Sequence, residues 1–259
     1  MMPQIKESLE MISAALEMCQ RPYIAFSGGK DSLVVAHLVH RIDSSVEMVY
    51  CDDELLWPEH NDYMAEIKAM EGSRLRWVSG GGLHRGWFRP WSMAADNWWR
   101  DPPAEMEWLP FVDGQRGRLS RLAVQLGYDG AFLGMRRAES RRREAILDNS
   151  SGTEMLAGYL RVNPIIDWSD DDVWAYIGAE NLTCCPVYDR LTAIGVSRHN
   201  ARLGPLPLAQ GEHLWKGWPE LYVSLVQRYG LHWTRPGLRR PPSITPLLWL
   251  ELKDALQRY

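Results

Sequence analysis

The sequence predicts an α/β protein built on a doubly wound, mainly parallel sheet with a helical and irregular C-terminal extension. Short apolar runs of strand length alternate with longer segments of helical periodicity. The first such run, Tyr23-Ile24-Ala25-Phe26, opens into a glycine turn and then a helical segment. A second run, Val46 to Cys51, closes a strand–loop–helix–strand unit, which belongs to a parallel sheet with right-handed crossovers.

From the N-terminus, Ile5, Leu9, Ile12 and Leu16 share one face of a helix over Gln4 to Cys19. The strand from Tyr23 and the loop Ser27–Ser32 follow, then a helix over Leu33 to Ile42 carrying Val34, Ala36, Leu38 and Val39. Beyond the strand at Val46–Cys51, Pro58 to Met70 reads as helix and Leu75 to Val78 as a third strand. From about 83 to 117 the pattern dissolves into Trp, Pro, Gly and charge, an insertion or lid. The chain has thirteen tryptophans against four phenylalanines, and several fall in that insertion. They fill a core and lid or stack on a planar ligand. Regularity returns with a helix around Leu119 to Leu126, a strand at Ala131 to Leu133 and a short run at Pro164 to Ile166. Ser169 then caps a helix over Asp170 to Ile177, with Asp172 in the capping-box position. Helices are also expected near Leu221 to Tyr229 and at the C-terminus. The expected division is a nucleotide-binding domain over 1–190 and a mostly helical extension over 191–259.

A net charge of −4 argues against wholesale wrapping by nucleic acid and leaves a local basic site open. The apolar stretch Leu33 to Val39 stops at His40-Arg41, short of a membrane span. Lys6, Glu7 and Glu10 interrupt any signal-peptide core, so the expected location is the cytoplasm. The four cysteines, Cys19, Cys51, Cys184 and Cys185, have no CxxC spacing.

Ser27-Gly28-Gly29-Lys30-Asp31-Ser32 lies after a strand and before a helix, where backbone amides and the helix N-terminus attract an anion. Ser27 and Ser32 offer hydroxyl hydrogen bonds, and Lys30 is expected to supply a mobile positive charge to phosphates. Asp31 caps the helix or coordinates Mg²⁺. The spacing is not that of a Walker A loop. Arg136, Arg137, Arg141, Arg142 and Arg143 follow the strand at Ala131–Leu133, whose carboxyl end shares the loop's edge of the sheet. Arg136 and Arg137 are expected to bind an anion, Arg142 and Arg143 to form a solvated face. Asp52 and Asp53, on the same edge, hold Mg²⁺, contact ribose or substrate, or form an acidic turn. His84, His199 and His213 are read as structural, and Arg198 and Arg202 follow Gly195-Val196-Ser197.

The strand with Ser27–Ser32 resembles the pyrophosphatase (PP) loop of the adenine nucleotide α-hydrolase superfamily. Within it, the chain looks most similar to the phosphoadenosine phosphosulfate (PAPS) reductase family. The resemblance rests on Cys51 to Glu59, on Leu133-Gly134-Met135-Arg136-Arg137-Ala138-Glu139-Ser140-Arg141, on Pro164 to Ile177, and on Pro186-Val187-Tyr188-Asp189. It implies ATP or PAPS as ligand, with Mg²⁺, held by Ser27 to Ser32, Asp52, Asp53, Arg136, Arg137, Ser140 and Arg141. Lys30, Asp31 and Arg136 are then the catalytic candidates. Family reductases use a cysteine nucleophile near the C-terminus, and this chain has none after Cys185. The cysteine pair that binds iron–sulfur in some relatives would fall near Arg143 to Ile146, where none stands, so no cluster is expected. The resemblance therefore implies α–β cleavage of ATP to adenylylate an unidentified acceptor, with a protein partner subunit possible. A thiol-dependent PAPS reductase and a nucleotide-sensing subunit are the alternatives.

Overall fold

The computed structural model describes residues 3–52, 57–79, 107–108, 126–148, 150–156, 158–199, 201, 203 and 211–222. The Trp-rich stretch up to 106, Asp53, Arg202, most of the helix expected at 119–126 and the chain beyond Tyr222 lie outside them.

The chain divides into two compact units, Met1–Glu54 with Pro58–Cys185, and Leu55–Trp57 with Pro186–Tyr259. The first holds a seven-stranded sheet. Its strands are β1 (Pro22–Ala25), β2 (Glu47–Asp52), β3 (Leu75–Ser79), β4 (Glu107–Trp108), β5 (Gly130–Phe132), β6 (Thr153–Leu156) and β7 (Tyr159–Val162). They lie in the order β4-β3-β2-β1-β5-β7-β6, every pair parallel except β6–β7. The chain order thus reverses about β1, leaving β1 between β2 and β5, and the loop after β1 emerges at the switch point.

The strand registers follow from apolar content. Ile24 pairs with Met48 on one side and Phe132 on the other, and all three are buried. Strands covered on both faces read as continuous apolar runs, as β1 and β5 do. Helices α1 (Pro3–Met18), α2 (Lys30–His40) and α3 (Pro58–Glu71) follow the expected periodicity. In α1 the buried stripe is Ile5, Ser8, Ile12 and Ala15, with Leu9 and Leu16 half-buried beside it. Ser8 replaces an apolar residue there because its hydroxyl donates to the Pro164 carbonyl, 2.6 Å away, and accepts from Trp168 Nε1 at 3.1 Å.

Among the described residues this unit also holds α4 (Arg141–Leu147) and α5 (Asp170–Ala179). The run at Pro164–Ile166 is a buried turn rather than a strand: Pro164 has no N–H for a ladder, and Ile166 N bonds back to Asn163 O. The strand that pairs with β5 on the side away from β1 is β7, where Arg161 interrupts the apolar pattern.

The capping box at α5 forms as expected, with Ser169 Oγ accepting from Asp172 N at 3.1 Å and the Asp172 carboxylate accepting from Ser169 N at 2.8 Å. Ser169→Ala is expected to cost about 1 kcal/mol of stability, read as a lower urea midpoint with unchanged slope.

In the second unit, α6 (Val187–Ala193) and α7 (Gly211–Gly217) are tied by Arg190, whose Nε donates to Gly217 O at 2.7 Å. Its guanidinium lies 4.9 Å from the Trp218 ring centroid, and the Trp218 and Trp57 rings pack at a 43° tilt with centroids 4.3 Å apart.

Candidate functional site

The turn between β1 and α2 is built by Gly28, whose φ of 73° lies in the left-handed region. A Cβ at this position would stand 2.4 Å from His60 Nε2 and 2.8 Å from Met64 Sδ. His60, buried on α3, bonds through Nε2 to the Ser27 carbonyl at 2.9 Å and so braces the loop from one side. Within the loop, Ser32 Oγ donates to Gly29 O at 2.9 Å, receives Ser27 N at 3.2 Å and lies 3.1 Å from Ser27 Oγ. Gly29 is the N-cap of α2 in extended conformation and has no side-chain cap. The first-turn amides of a helix have no carbonyl four residues back, and together with the positive end of the helix dipole they form an edge chemically suited to an anion.

Behind that turn the charges close on one another. Lys30 is 1% exposed, and its ammonium lies 3.0 Å from Asp31 Oδ2 and 2.9 Å from Asp170 Oδ1. Arg136, 0% exposed, donates from Nε to Asp31 Oδ1 at 2.7 Å, from Nη2 to Asp170 Oδ1 at 2.8 Å and from Nη1 to the Trp168 carbonyl at 3.0 Å. Two cations and two carboxylates therefore form a group joining the first turns of α2 and α5 to the segment after β5. Burial opposes the charge on Arg136, but Asp31 and Asp170 outweigh it and raise its pKa above the ordinary value. Burial likewise opposes ionisation of Asp170, and the hydrogen bonds and charges of Lys30 and Arg136 overcome it, holding the carboxyl below its usual range. Gly134 lets the segment approach, since a Cβ there would stand 2.8 Å from the carbonyl carbon of Asp31 and 2.9 Å from Ser32 N.

The sequence expectations meet this geometry unevenly. Ser27, Gly28, Gly29 and Ser32 form the loop as expected. Lys30 differs: it is an internal counter-ion rather than a mobile charge, because two carboxylates fix its ammonium in a buried position. Arg136 reaches the loop but grips Asp31 and Asp170 instead of lying open to an anion. Arg137 turns away to Asp167 and to the carbonyls of Leu147 and Ser150. Ser140 caps α4 by accepting from Arg143 N, and Arg141 is exposed at that helix's start. Asp52 is 0% exposed and receives Trp77 Nε1 at 2.8 Å, so it does not face a ligand as a free carboxylate. Both oxygens of Asp31 are engaged by Lys30 and Arg136. Neither Asp31 nor Asp52 is thus an open ligand for Mg²⁺, and among the described residues no group of three His, Cys, Asp or Glu side chains converges to hold a metal.

Two members were not singled out from sequence. In the sequence Asp170 is only the first residue of the helix capped by Ser169, and the signal that marks it is its position opposite a buried lysine, which no local pattern carries. His60 sits on the buried face of α3, where a lone histidine carries no local sequence signal for a loop brace.

Residues 21–196 match the phosphoadenosine phosphosulfate reductase domain. The chain belongs to that family. It is thereby also a member of the PP-loop adenine nucleotide α-hydrolase superfamily. A PAPS reductase of Alkalilimnicola ehrlichii is 27% identical over 176 residues, covering 65% of each chain. A sulfate adenylyltransferase subunit 2 of Mycobacterium sp. is 25% identical over 211 residues, covering 70% of this chain and 62% of the relative. An uncharacterized protein of Methanocaldococcus jannaschii is 25% identical over 234 residues, covering 87% of this chain and 53% of its own length. The chain thus spans between about half and just under two thirds of these relatives. The same fold occurs in the crystal structure of PAPS reductase from Candida auris in a phosphate complex (TM-score 0.53, 14% identity, 77% of this chain and 88% of that one). It occurs again in FMN adenylyltransferase from Candida glabrata in complex with FMN and an ATP analogue (TM-score 0.51, 13% identity, 78% and 61%). No described helix is long and apolar enough to cross a membrane.

Proposed function

We propose that the chain binds the polyphosphate of ATP on the Ser27–Ser32 loop and cleaves its α–β bond, transferring the adenylyl group to an acceptor oxygen. That oxygen forms a bond to the α-phosphorus as the bridging bond breaks, and pyrophosphate leaves with the electron pair. Loop amides, the Ser27 hydroxyl and the N-terminus of α2 stabilise charge on the leaving group, and Ser32 holds the loop in place by donating to Gly29 O, a positioning and electrostatic role. The observation that carries this reading is the uncapped helix start after a left-handed Gly28 at the sheet's switch point. Relatives named sulfate adenylyltransferase subunit 2 support both the reaction class and the presence of a partner subunit.

Two of the four cysteines, Cys185 and Cys19, are poor candidates for the nucleophile of a thiol-dependent reductase, while Cys51 and Cys184 are half-buried. Cys185 is 1% exposed, and the Cys19 thiol is pushed up to about 11 by burial and then by Asp129. A nucleophilic thiol needs access and a lowered pKa.

Competition binding separates the two substrates. ATP and inorganic pyrophosphate are expected to displace one another, and adenosine 3′,5′-bisphosphate to bind about tenfold or more weakly. In turnover, ATP is expected to yield AMP or an adenylylated product with pyrophosphate, and Ser32→Ala to lower the rate about a hundredfold. Displacement of ATP by the 3′,5′-bisphosphate at equal or lower concentration, or release of ADP and phosphate, contradicts the reading.

A further inference from the structure

We infer that Asp170, outside the phosphate loop, is a positioning residue that holds the loop in its binding geometry through Lys30 and Arg136. The inference deepens the phosphate-loop reading and rests on it for its consequence in binding. It also assigns Lys30 a different task from contacting phosphate.

Asp170 opens α5, and its Oδ1 receives both Lys30 Nζ at 2.9 Å and Arg136 Nη2 at 2.8 Å. The same two cations hold Asp31, the second residue of α2, at 3.0 and 2.7 Å. With both cations almost fully buried, removing any one of the four charges by itself unbalances the group. Removing one charge from a buried set leaves its partner uncompensated, and the site reorganises or admits water to relieve it. The element free to reorganise is the turn carrying the anion-binding amides, since Lys30 and Asp31 belong to it. Gly134 packs directly on the Asp31–Ser32 backbone, so a shift of the segment bearing Arg136 is passed to that turn without slack. Each of the two helices begins with a carboxylate placed favourably at its own positive end.

This assignment makes a charge-balance prediction that a phosphate-contacting lysine does not. Asp170→Asn leaves one cation in excess. Lys30→Met combined with Asp170→Asn removes one charge of each sign and leaves Arg136 paired with Asp31. Asp170→Glu keeps the charge.

Amide hydrogen exchange without ligand is measured on the full chain for wild type and these variants, alongside calorimetric titration with inorganic pyrophosphate. In Asp170→Asn, exchange over residues 27–33 is expected to rise about tenfold (about 1.4 kcal/mol), while that of β2 stays within about threefold. Pyrophosphate affinity is expected to fall by about the same factor, with substantial recovery in Asp170→Glu and in the double variant. Unchanged exchange over 27–33, or an equal rise throughout the sheet, overturns the inference. So does a double variant that regains loop protection but binds no pyrophosphate, since Lys30 is then a direct phosphate ligand. If Asp170→Asn does not fold, the double variant carries the test by itself: wild-type loop protection with wild-type affinity supports the inference, and loss of either overturns it. If wild type itself binds no pyrophosphate while exchange follows the expected pattern, the network stands and the phosphate-loop reading falls.

Discussion

Replacing Arg136 with methionine is expected to lower stability by about 3–5 kcal/mol, the cost of leaving buried carboxylates short of their counter-charge. The side chain is 0% exposed and makes three bonds that methionine cannot replace, to Asp31, Asp170 and the Trp168 carbonyl. Lys30 alone would then face both carboxylates. Arg136→Lys is expected to recover only part of the loss, because an ammonium lacks the planar fork that serves three acceptors in fixed directions. The deficit also has a pH signature. The folded Asp170 carboxyl titrates below its unfolded value, so the stability it contributes is present above about pH 4 and is lost as pH falls through the lower folded pKa. Urea midpoints of wild type and Arg136→Met are therefore expected to converge in acid. A gap that stays constant from neutral pH to below pH 3 would mean that packing, not charge, explains the loss.

Gly28→Ala is expected to act on the loop from the other side. Backbone strain at a φ of 73° costs about 1–2 kcal/mol for an L-residue. The new methyl would also meet His60 Nε2 at 2.4 Å, and yielding would break that ring's bond to the Ser27 carbonyl. Overpacking adds about 1–3 kcal/mol. The combined loss is expected at about 2–5 kcal/mol, with ATP affinity down about a hundredfold because displaced amides no longer converge on phosphate. Gly72→Ala separates the two causes: φ there is 57° and nothing lies within 4 Å of the added carbon, so it carries strain without the clash. Equal losses in the two variants would remove His60 from the explanation.

The sheet was legible because its strands and helices carry different periods. Tyr23–Phe26, Val46–Cys51 and Leu75–Val78 are apolar runs of strand length, and each falls on its strand to within a residue or two. The hairpin β6–β7 was not, since Thr153–Leu156 is an edge strand with exposed Glu154 and Met155, and Arg161 breaks the pattern of its partner. The loop was readable for a local reason, as glycines, serines and a helix start are neighbours in sequence. The charge network was not. Lys30 and Asp170 are far apart along the chain and meet because α2 and α5 pack together, which residue types alone do not encode. The same gap explains why Lys30 and Arg136 read as open phosphate ligands. A lysine in a glycine loop and an arginine after a strand have the right chemistry for an anion, and only burial reveals that carboxylates already occupy them.

Backbone amide shifts followed by NMR during titration with inorganic pyrophosphate test most directly whether the turn after β1 is the anion site. The largest changes are expected at Gly28, Gly29, Asp31 and Ser32, with smaller ones at His60 and Asp170. Saturable binding that leaves those amides unmoved while resonances elsewhere shift would contradict it.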